Sequence, residues 1–144
     1  MTLNEFFSEI KKRDGQFFAP VSASKISLTN AALQQLRRAI LPHFLIELYG
    51  KTGGIALGSG YIFGPNEIIR PNTFPIPNII RVNNDLSSNE HIVGKTIFGR
   101  NDLFWFAFDA FGTCYMLDNL SLRPLRKYED PIKAMFDCLI IGKV

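Results

Sequence analysis

Cysteine and histidine are scarce, and their scarcity excludes several kinds of site. The chain has 144 residues but only two cysteines and two histidines. Cys114 and Cys138 each lie in an apolar segment, so we expect two buried, inert thiols and no disulfide framework. His43 and His91 are far apart and have no cysteine or second histidine at metal-ligand spacing. The sequence therefore predicts no metal and no cofactor.

Long apolar runs are also missing. The charge-free stretch over residues 52–66 is interrupted by glycines and is shorter than the roughly 20 residues that a membrane span needs. The N-terminus reads Met-Thr-Leu-Asn-Glu, without the basic and then apolar regions of a signal peptide. We therefore expect no membrane contact and a cytoplasmic location.

An excess of one charge sign is absent as well. The chain has 16 basic and 13 acidic residues, a formal net charge of +3, and its basic residues are scattered apart from Lys11–Arg13. A nucleic-acid footprint needs a basic face or stripe, so nucleic-acid binding is not expected. Weak binding through Lys11–Arg13, Arg37 and Arg38 remains an alternative, although the run is better explained as the last turn of a helix, where lysine and arginine complement the helix dipole.

Apolar residues are abundant, and they predict one packed domain over residues 1–144. The composition is 47% hydrophobic, with 13 phenylalanines and only 20% charged residues. A chain of this length buries enough surface for a single core. We treat residues 1–27 as an N-terminal helix and link, and residues 28–141 as the core of the domain.

Helices are predicted at both ends of the chain. Thr2 and Glu5 form a capping-box pattern that starts a helix ending at Asp14 and Gly15, and residues 16–27 are expected to form an irregular link. The predicted starts of the other helices are Thr29 or Asn30, then Pro42, then Asp130 with Pro131. The second helix is expected to turn Leu33, Leu36, Ile40 and Leu41 inward, and Gln34, Gln35, Arg37 and Arg38 outward.

Between these helices the pattern changes to short apolar runs separated by turn residues. The run 103–108 is apolar on both faces, and Gly112 at positive φ can close a hairpin to the next run. The fold class is therefore α+β, with N-terminal helices, a curved, mainly antiparallel sheet of about six strands and a C-terminal helix. Within residues 71–91, the segment 79–85 could be a helical turn or an edge strand. The strand-sized runs are 55–57, 61–63, 67–70, 92–98, 103–109, 114–118 and 122–128.

Three aspartates are the candidate catalytic carboxylates. Asp102, Asp109 and Asp118 flank the central hairpin and could form an acid–base pair, but turns collect aspartates because the side chain caps backbone N–H groups. We favour the turn interpretation. No catalytic residue is assigned, and a small enzyme that uses these carboxylates or a cysteine remains an alternative.

Several motifs taken together resemble the SUKH superfamily, the group of bacterial immunity proteins that also includes the yeast cell-wall glucan-synthesis regulator. They are the leucine-proline helix running into a glycine turn over 41–54, the block 97–106 followed by Asp109 and the strand 115–118, and residues 128–131 leading into an apolar helix. The resemblance covers about 28–141. Thr52 replaces the usual asparagine before the glycine, and Asn101 stands where a glycine often precedes the aspartate.

The resemblance implies a non-catalytic module that binds and neutralises a toxin domain, frequently a nuclease. A regulatory or scaffold protein related to the glucan-synthesis regulators is the alternative. The mildly basic charge does not suit an inhibitor of a basic nuclease, because an acidic surface would steer that association. Exposed aromatic and arginine side chains are the usual anchors of interfaces, and we select Tyr61, Arg70, Arg81 and Arg100 as the partner-binding residues.

Overall fold

Helices flank one antiparallel sheet. The computed structural model describes residues 1–143, with side chains described through residue 140. The helices are α1 (Leu3–Lys12), α2 (Ala23–Gln35), α3 (His43–Tyr49), α4 (Ile79–Asp85) and α5 (Pro131–Lys143), and a 3-10 turn spans Glu90–Ile92. The strands are β1 (Gln16–Phe17), β2 (Ile55–Leu57), β3 (Gly60–Ile62), β4 (Lys95–Arg100), β5 (Phe104–Asp109), β6 (Cys114–Asp118) and β7 (Pro124–Tyr128).

The seven strands lie in the sheet in their order along the chain, and every neighbouring pair is antiparallel. This confirms the α+β class and the antiparallel sheet, with seven strands where about six were predicted. Gly112 closes the β5–β6 hairpin with φ 79°, as its position in the sequence predicts. None of the helices in residues 1–143 combines the length and the apolar character that crossing a membrane demands.

Helix α5 packs across the sheet and contacts every strand from β2 to β7. Asp130 caps its first turn by accepting a hydrogen bond from the Ile132 amide at 3.0 Å, as predicted for an aspartate before a first-turn proline. Its apolar side is fully buried through Ala134, Met135, Cys138 and Leu139. The close approach depends on Gly60 in β3, where a Cβ would lie 2.9 Å from the Cys138 carbonyl oxygen.

A cluster of aromatic rings packs α3 onto the sheet. The Phe44 ring makes edge contacts with Phe98 and Phe108, at centroid distances of 5.8 and 6.4 Å. Phe98 lies at the β-bulge where the register of β4 against β5 shifts, and it also contacts Phe108 at 6.0 Å. The bulge places one additional aromatic ring in this contact.

The predicted start of the second helix is wrong. Helix α2 begins at Ala23, inside the predicted link, because Ser22 accepts a hydrogen bond from the Lys25 amide at 3.2 Å. Thr29 and Asn30, the predicted caps, lie within the helix. Thr29 donates to the Lys25 carbonyl oxygen at 2.8 Å, and the Asn30 side chain accepts from the Leu41 amide at 2.9 Å.

The link between α1 and α2 also contains a strand, since Gln16–Phe17 pairs with β2. Because α2 ends at Gln35, the residues after it no longer follow helical spacing. Ile40, predicted to face inward, is exposed, and Arg38, predicted to face outward, is buried.

Residues 64–93 depart most from the strands predicted from the sequence. The predicted strand 67–70 does not form, and the only pairing there within the described residues is a single bridge between Ile68 and Ile76. The segment 79–85 is a helix, capped by Asn78, whose side chain accepts from the Arg81 amide at 2.8 Å. Of the two alternatives that the sequence leaves open there, the helix is the correct one.

Candidate functional site

Three side chains on neighbouring strands line up across one face of the sheet. Tyr61 in β3 is paired directly with Arg100 in β4, and Arg100 is paired with Trp105 in β5. Directly opposed residues of antiparallel strands project from the same face, so their side chains are neighbours. The Arg100 guanidinium carbon lies 4.3 Å from the centre of the Trp105 ring, a stacked cation–π contact.

Arg70 extends this line from outside the sheet. Its guanidinium carbon lies 5.5 Å from the centre of the Tyr61 ring. The order Arg70, Tyr61, Arg100, Trp105 therefore alternates cation and ring, and we call these four residues the arginine–aromatic row. All four side chains are partly exposed, and the Trp105 indole N–H donates to the Asn119 carbonyl oxygen at 3.2 Å, which fixes that end of the row.

Arg70 also fixes an exposed apolar loop, residues 69–75, which we call the Phe74 loop. Its guanidinium donates to the Phe74 carbonyl oxygen at 3.2 Å and to the Gln16 side chain at 3.5 Å. The bridge between Ile68 and Ile76 closes the base of the loop. Phe74 is 87% exposed and Ile69 is 76% exposed, so the loop presents two large apolar side chains beside the row.

Arg81 lies apart from the row. It is exposed on α4, where its side chain is 4.0 Å from the Asp85 carboxylate. It lines a shallow depression of about 300 Å³ together with Phe74, Pro75 and Pro77. The structure thus brings Tyr61, Arg70 and Arg100 together, and places Arg81 in the depression next to Phe74. Trp105, which completes the row, is absent from the residues selected from the sequence.

Two of the three candidate carboxylates accept hydrogen bonds from backbone amides in turns, and Asp109 is the first of them. Asp109 accepts hydrogen bonds from the Phe111 and Thr113 amides at 2.9 and 3.1 Å. The Tyr115 hydroxyl donates to its other oxygen at 2.9 Å. These contacts are those of a residue that orders the β5–β6 hairpin.

Asp118 plays the same part in the next turn. It accepts hydrogen bonds from the Ser121 amide at 2.8 Å and from the Leu120 amide at 3.0 Å, and hydrogen bonding by Ser121 and Leu120 lowers the pKa of its carboxyl. Asp102 differs, since it is exposed and its own amide donates to the Ser59 hydroxyl at 3.2 Å. The turn interpretation therefore holds for Asp109 and Asp118.

The two thiols are enclosed. Burial raises the pKa of Cys114 to about 12, and the negative charges of Asp109 and Asp130 act in the same direction. Burial likewise raises the pKa of Cys138, which lies under the sheet within 3.6 Å of the Tyr61 carbonyl oxygen and 3.5 Å of that of Arg100. Thiolate formation is disfavoured at both positions.

The histidines and the remaining cations are dispersed. Within the described part of the chain, no three His, Cys, Asp or Glu side chains are grouped so that they could hold a metal ion. Lys12 and Arg13 pair with Glu9 at 3.3 and 2.7 Å, and the buried Arg38 donates to the Ile92 carbonyl oxygen at 2.9 Å. Of the cations proposed for nucleic-acid binding, Arg38 is thus removed from the surface.

No protein-family model matches the sequence, and no curated protein matches it. Thr52 and Asn101 are both buried and hydrogen-bonded. The Thr52 hydroxyl lies 2.7 Å from the Gly54 carbonyl oxygen and accepts from the Phe18 amide at 2.9 Å. The Asn101 side chain accepts from the Phe104 amide at 2.8 Å and donates to the Cys138 carbonyl oxygen at 3.0 Å. Both side chains order the backbone locally.

Proposed function

We propose that this chain is a non-catalytic protein-binding module, and that it acts as an immunity protein that neutralises a toxin domain. The observation that supports a binding role is the arginine–aromatic row with the exposed Phe74 loop beside it. The toxin as partner is taken from the resemblance of residues 28–141 to the SUKH superfamily. A regulatory protein of the same superfamily is the alternative.

The composition of the row favours a protein partner. Tryptophan, tyrosine and arginine are the residues most enriched among those that dominate the binding energy of interfaces. The row supplies two arginines with Tyr61 and Trp105, and the loop adds Phe74 and Ile69, whose exposed area would be covered on binding. Each arginine is already held against a ring, so less side-chain freedom is lost when a partner binds.

The other candidate residues support a role without catalysis. Asp109 and Asp118 are engaged by turn amides, and a reacting group would have to displace those hydrogen bonds. The thiols of Cys114 and Cys138 are buried and have raised pKa values. A nucleophile or general base must be free to act on a substrate, whereas the two carboxylates are engaged by turn amides and the two thiols are buried.

Co-expression with a neighbouring toxin gene tests this proposal. A secreted toxin encoded beside the gene for this chain is produced in a bacterial host, with and without the chain, and growth is measured. We expect the wild-type chain to restore growth. The double variant Arg70→Glu with Arg100→Glu should bind the toxin domain about tenfold more weakly or worse, and protect less.

The matched control is Arg37→Glu, which reverses a charge at an exposed arginine on the link after α2. It should protect as well as the wild type. If no neighbouring toxin is neutralised by the wild-type chain, the immunity role is wrong. Binding to a host enzyme without any relief of toxicity would instead support the regulatory alternative.

A further inference from the structure

The arginines of the row lack the partner that other ring-stacked arginines in this molecule have. Arg13 lies over the Phe136 ring and binds the Glu9 carboxylate at 2.7 Å, and Arg126 lies over the Tyr128 ring and binds Asp137 at 3.3 Å. Arg70 and Arg100 are stacked in the same manner, but neither forms an ion pair with a carboxylate of the described residues.

Stacking leaves the hydrogen-bonding edge of a guanidinium free. The N–H groups of arginine lie in the plane of the group, so a ring that covers one face does not compete with a carboxylate that binds at the edge. Arg70 uses two N–H groups for Gln16 and Phe74, and its Nε is enclosed without a hydrogen-bond partner among the described residues. No side-chain hydrogen bond of Arg100 is found in that part of the chain. Both guanidinium groups can therefore donate hydrogen bonds to further acceptors.

The two guanidiniums lie on either side of Tyr61. Arg70 stacks on the Tyr61 ring, and Arg100 is the cross-strand neighbour of the same residue. A partner that covers Tyr61 thus meets both positive groups at once, with the apolar Phe74 loop alongside. Charge complementarity then requires negative groups on the partner, and the net charge of +3 for the chain acts in the same direction.

We propose that the row is a receptor for an acidic protein surface, in which carboxylates of at least two Asp or Glu residues bind Arg70 and Arg100 edge-on and an apolar residue contacts Phe74. This inference rests on the proposed function and names the chemistry of the partner. The toxin domain would present an acidic patch at the contact, in contrast to the basic surface of a domain that binds nucleic acid.

A random peptide library displayed on phage tests the chemistry without a known partner. Peptides selected on the wild-type chain are synthesised, and their binding is followed by the fluorescence of Trp105, the only tryptophan in the chain. We expect the selected peptides to contain paired Asp or Glu residues. Replacing these by Asn or Gln should weaken binding about tenfold or more, because charge-assisted hydrogen bonds are lost.

Protein variants supply the second arm. Arg70→Gln and Arg100→Gln should each weaken binding of the acidic peptides about tenfold. Arg37→Gln, at an exposed arginine that is not part of the row, should leave peptide binding unchanged. The peptide arm needs no protein variant, so the test holds even if a substitution at Arg70 disturbs the loop.

The outcomes separate this inference from the proposed function. Selected peptides without acidic residues that still lose affinity in the Arg70 and Arg100 variants would overturn the acidic partner and leave protein binding at the row intact. Peptides whose binding ignores both variants would overturn the row as the site. A single-stranded thymidine oligonucleotide that binds more tightly than the acidic peptides would replace the protein partner with nucleic acid.

Discussion

The buried side chain of Asn83 links helix α4 to strand β4 by two hydrogen bonds. The residue lies on α4 and is fully buried. Its side-chain oxygen accepts from the Ile97 amide at 2.7 Å, and its nitrogen donates to the Ile97 carbonyl oxygen at 2.9 Å. The pairing of β3 with β4 includes Gly99 and Arg100, and the Phe63 amide donates to the Phe98 carbonyl oxygen at 2.8 Å. Ile97 lies beyond these contacts, and the side-chain amide of Asn83 bonds its backbone where a neighbouring strand otherwise would.

We expect Asn83→Ala to lower the free energy of unfolding by about 2–4 kcal/mol, because it leaves two backbone groups of Ile97 buried without partners. Asn84→Ala, at the exposed neighbouring position, should change it by less than about 0.5 kcal/mol. Urea denaturation of both variants measures the difference. Equal stabilities would show that the bonds to Ile97 contribute nothing.

The sequence predicts three of the four residues of the row, and the properties of the individual residues explain why. Tyr61, Arg70 and Arg100 can be selected because exposed rings and arginines are typical anchors. Trp105 is missed because the run 103–108 is apolar at every position, so no alternation separates its two faces. The available signal is the short connection over 101–104, which makes Arg100 and Trp105 neighbours if it closes a hairpin. Asn83 gives no such signal, since its partner Ile97 is distant in sequence.

At the scale of elements, the contact between α5 and β3 sets how closely the helix approaches the sheet. A Cβ on Gly60 would lie 2.9 Å from the Cys138 carbonyl oxygen and 3.0 Å from the Leu139 Cα. Both neighbours are backbone atoms of α5, which cannot move without shifting the helix. A side chain at residue 60 therefore displaces an element that contacts strands β2 to β7.

Gly60→Ala should destabilise the fold by about 1–3 kcal/mol, the usual cost of adding a methyl group to a tightly packed core. Gly50→Ala is the matched control. Gly50 follows α3 with a helical φ of −66°, and the nearest contact of a Cβ there would be the Glu47 carbonyl oxygen at 3.5 Å. The Gly50 variant should therefore be as stable as the wild type or slightly more stable. Thermal unfolding compares the two, and a Gly60 variant as stable as the control would contradict the contact.

Elements were predictable where their signals are local. The α1 capping box, the Gly112 hairpin and the Asp130 cap each depend on residues within a few positions, and all three form. The sequence predicts neither strand β1 nor the start of α2. The two-residue β1 exists only because it pairs with β2, about 40 positions later in the sequence. Residue type does not separate Ser22 from Thr29 and Asn30, since all three are good caps.

At the scale of the whole molecule, the arginine–aromatic row depends on how the strands of the sheet are paired. The row combines residues of three consecutive strands with one loop arginine, and its alternation depends on the register of β3, β4 and β5. The bulge at Phe98 lies in the same sheet, so a register change there would alter which side chain faces Trp105. The row forms only when β3, β4 and β5 pair in this register, so partner binding depends on correct strand pairing.

The core also makes the stability of the whole molecule sensitive to alkaline pH. Burial raises the pKa of Cys114 to about 12 and raises the pKa values of Cys138, Tyr49 and Tyr128 as well. In the unfolded chain these groups ionise near their ordinary values of 9.0 for cysteine and 10.0 for tyrosine. The contribution of these neutral groups to the free energy of unfolding is fully present below pH 9. It is lost as the pH rises from there toward their raised pKa values, because only the unfolded chain releases the protons.

We expect the free energy of unfolding to fall progressively above about pH 9, by about 1.4 kcal/mol per pH unit for each group that stays neutral in the fold. Tyr49→Phe removes one such group. It also removes the hydrogen bond from the Tyr49 hydroxyl to the Phe63 carbonyl oxygen at 2.6 Å, so the variant should be less stable at neutral pH. The free energy of unfolding of this variant should nevertheless decline between about pH 11 and 12 with a slope that is shallower than that of the wild type by about 1.4 kcal/mol per pH unit. Urea denaturation across this pH range measures both slopes, and parallel curves would show that Tyr49 ionises as readily in the folded protein as in the unfolded chain.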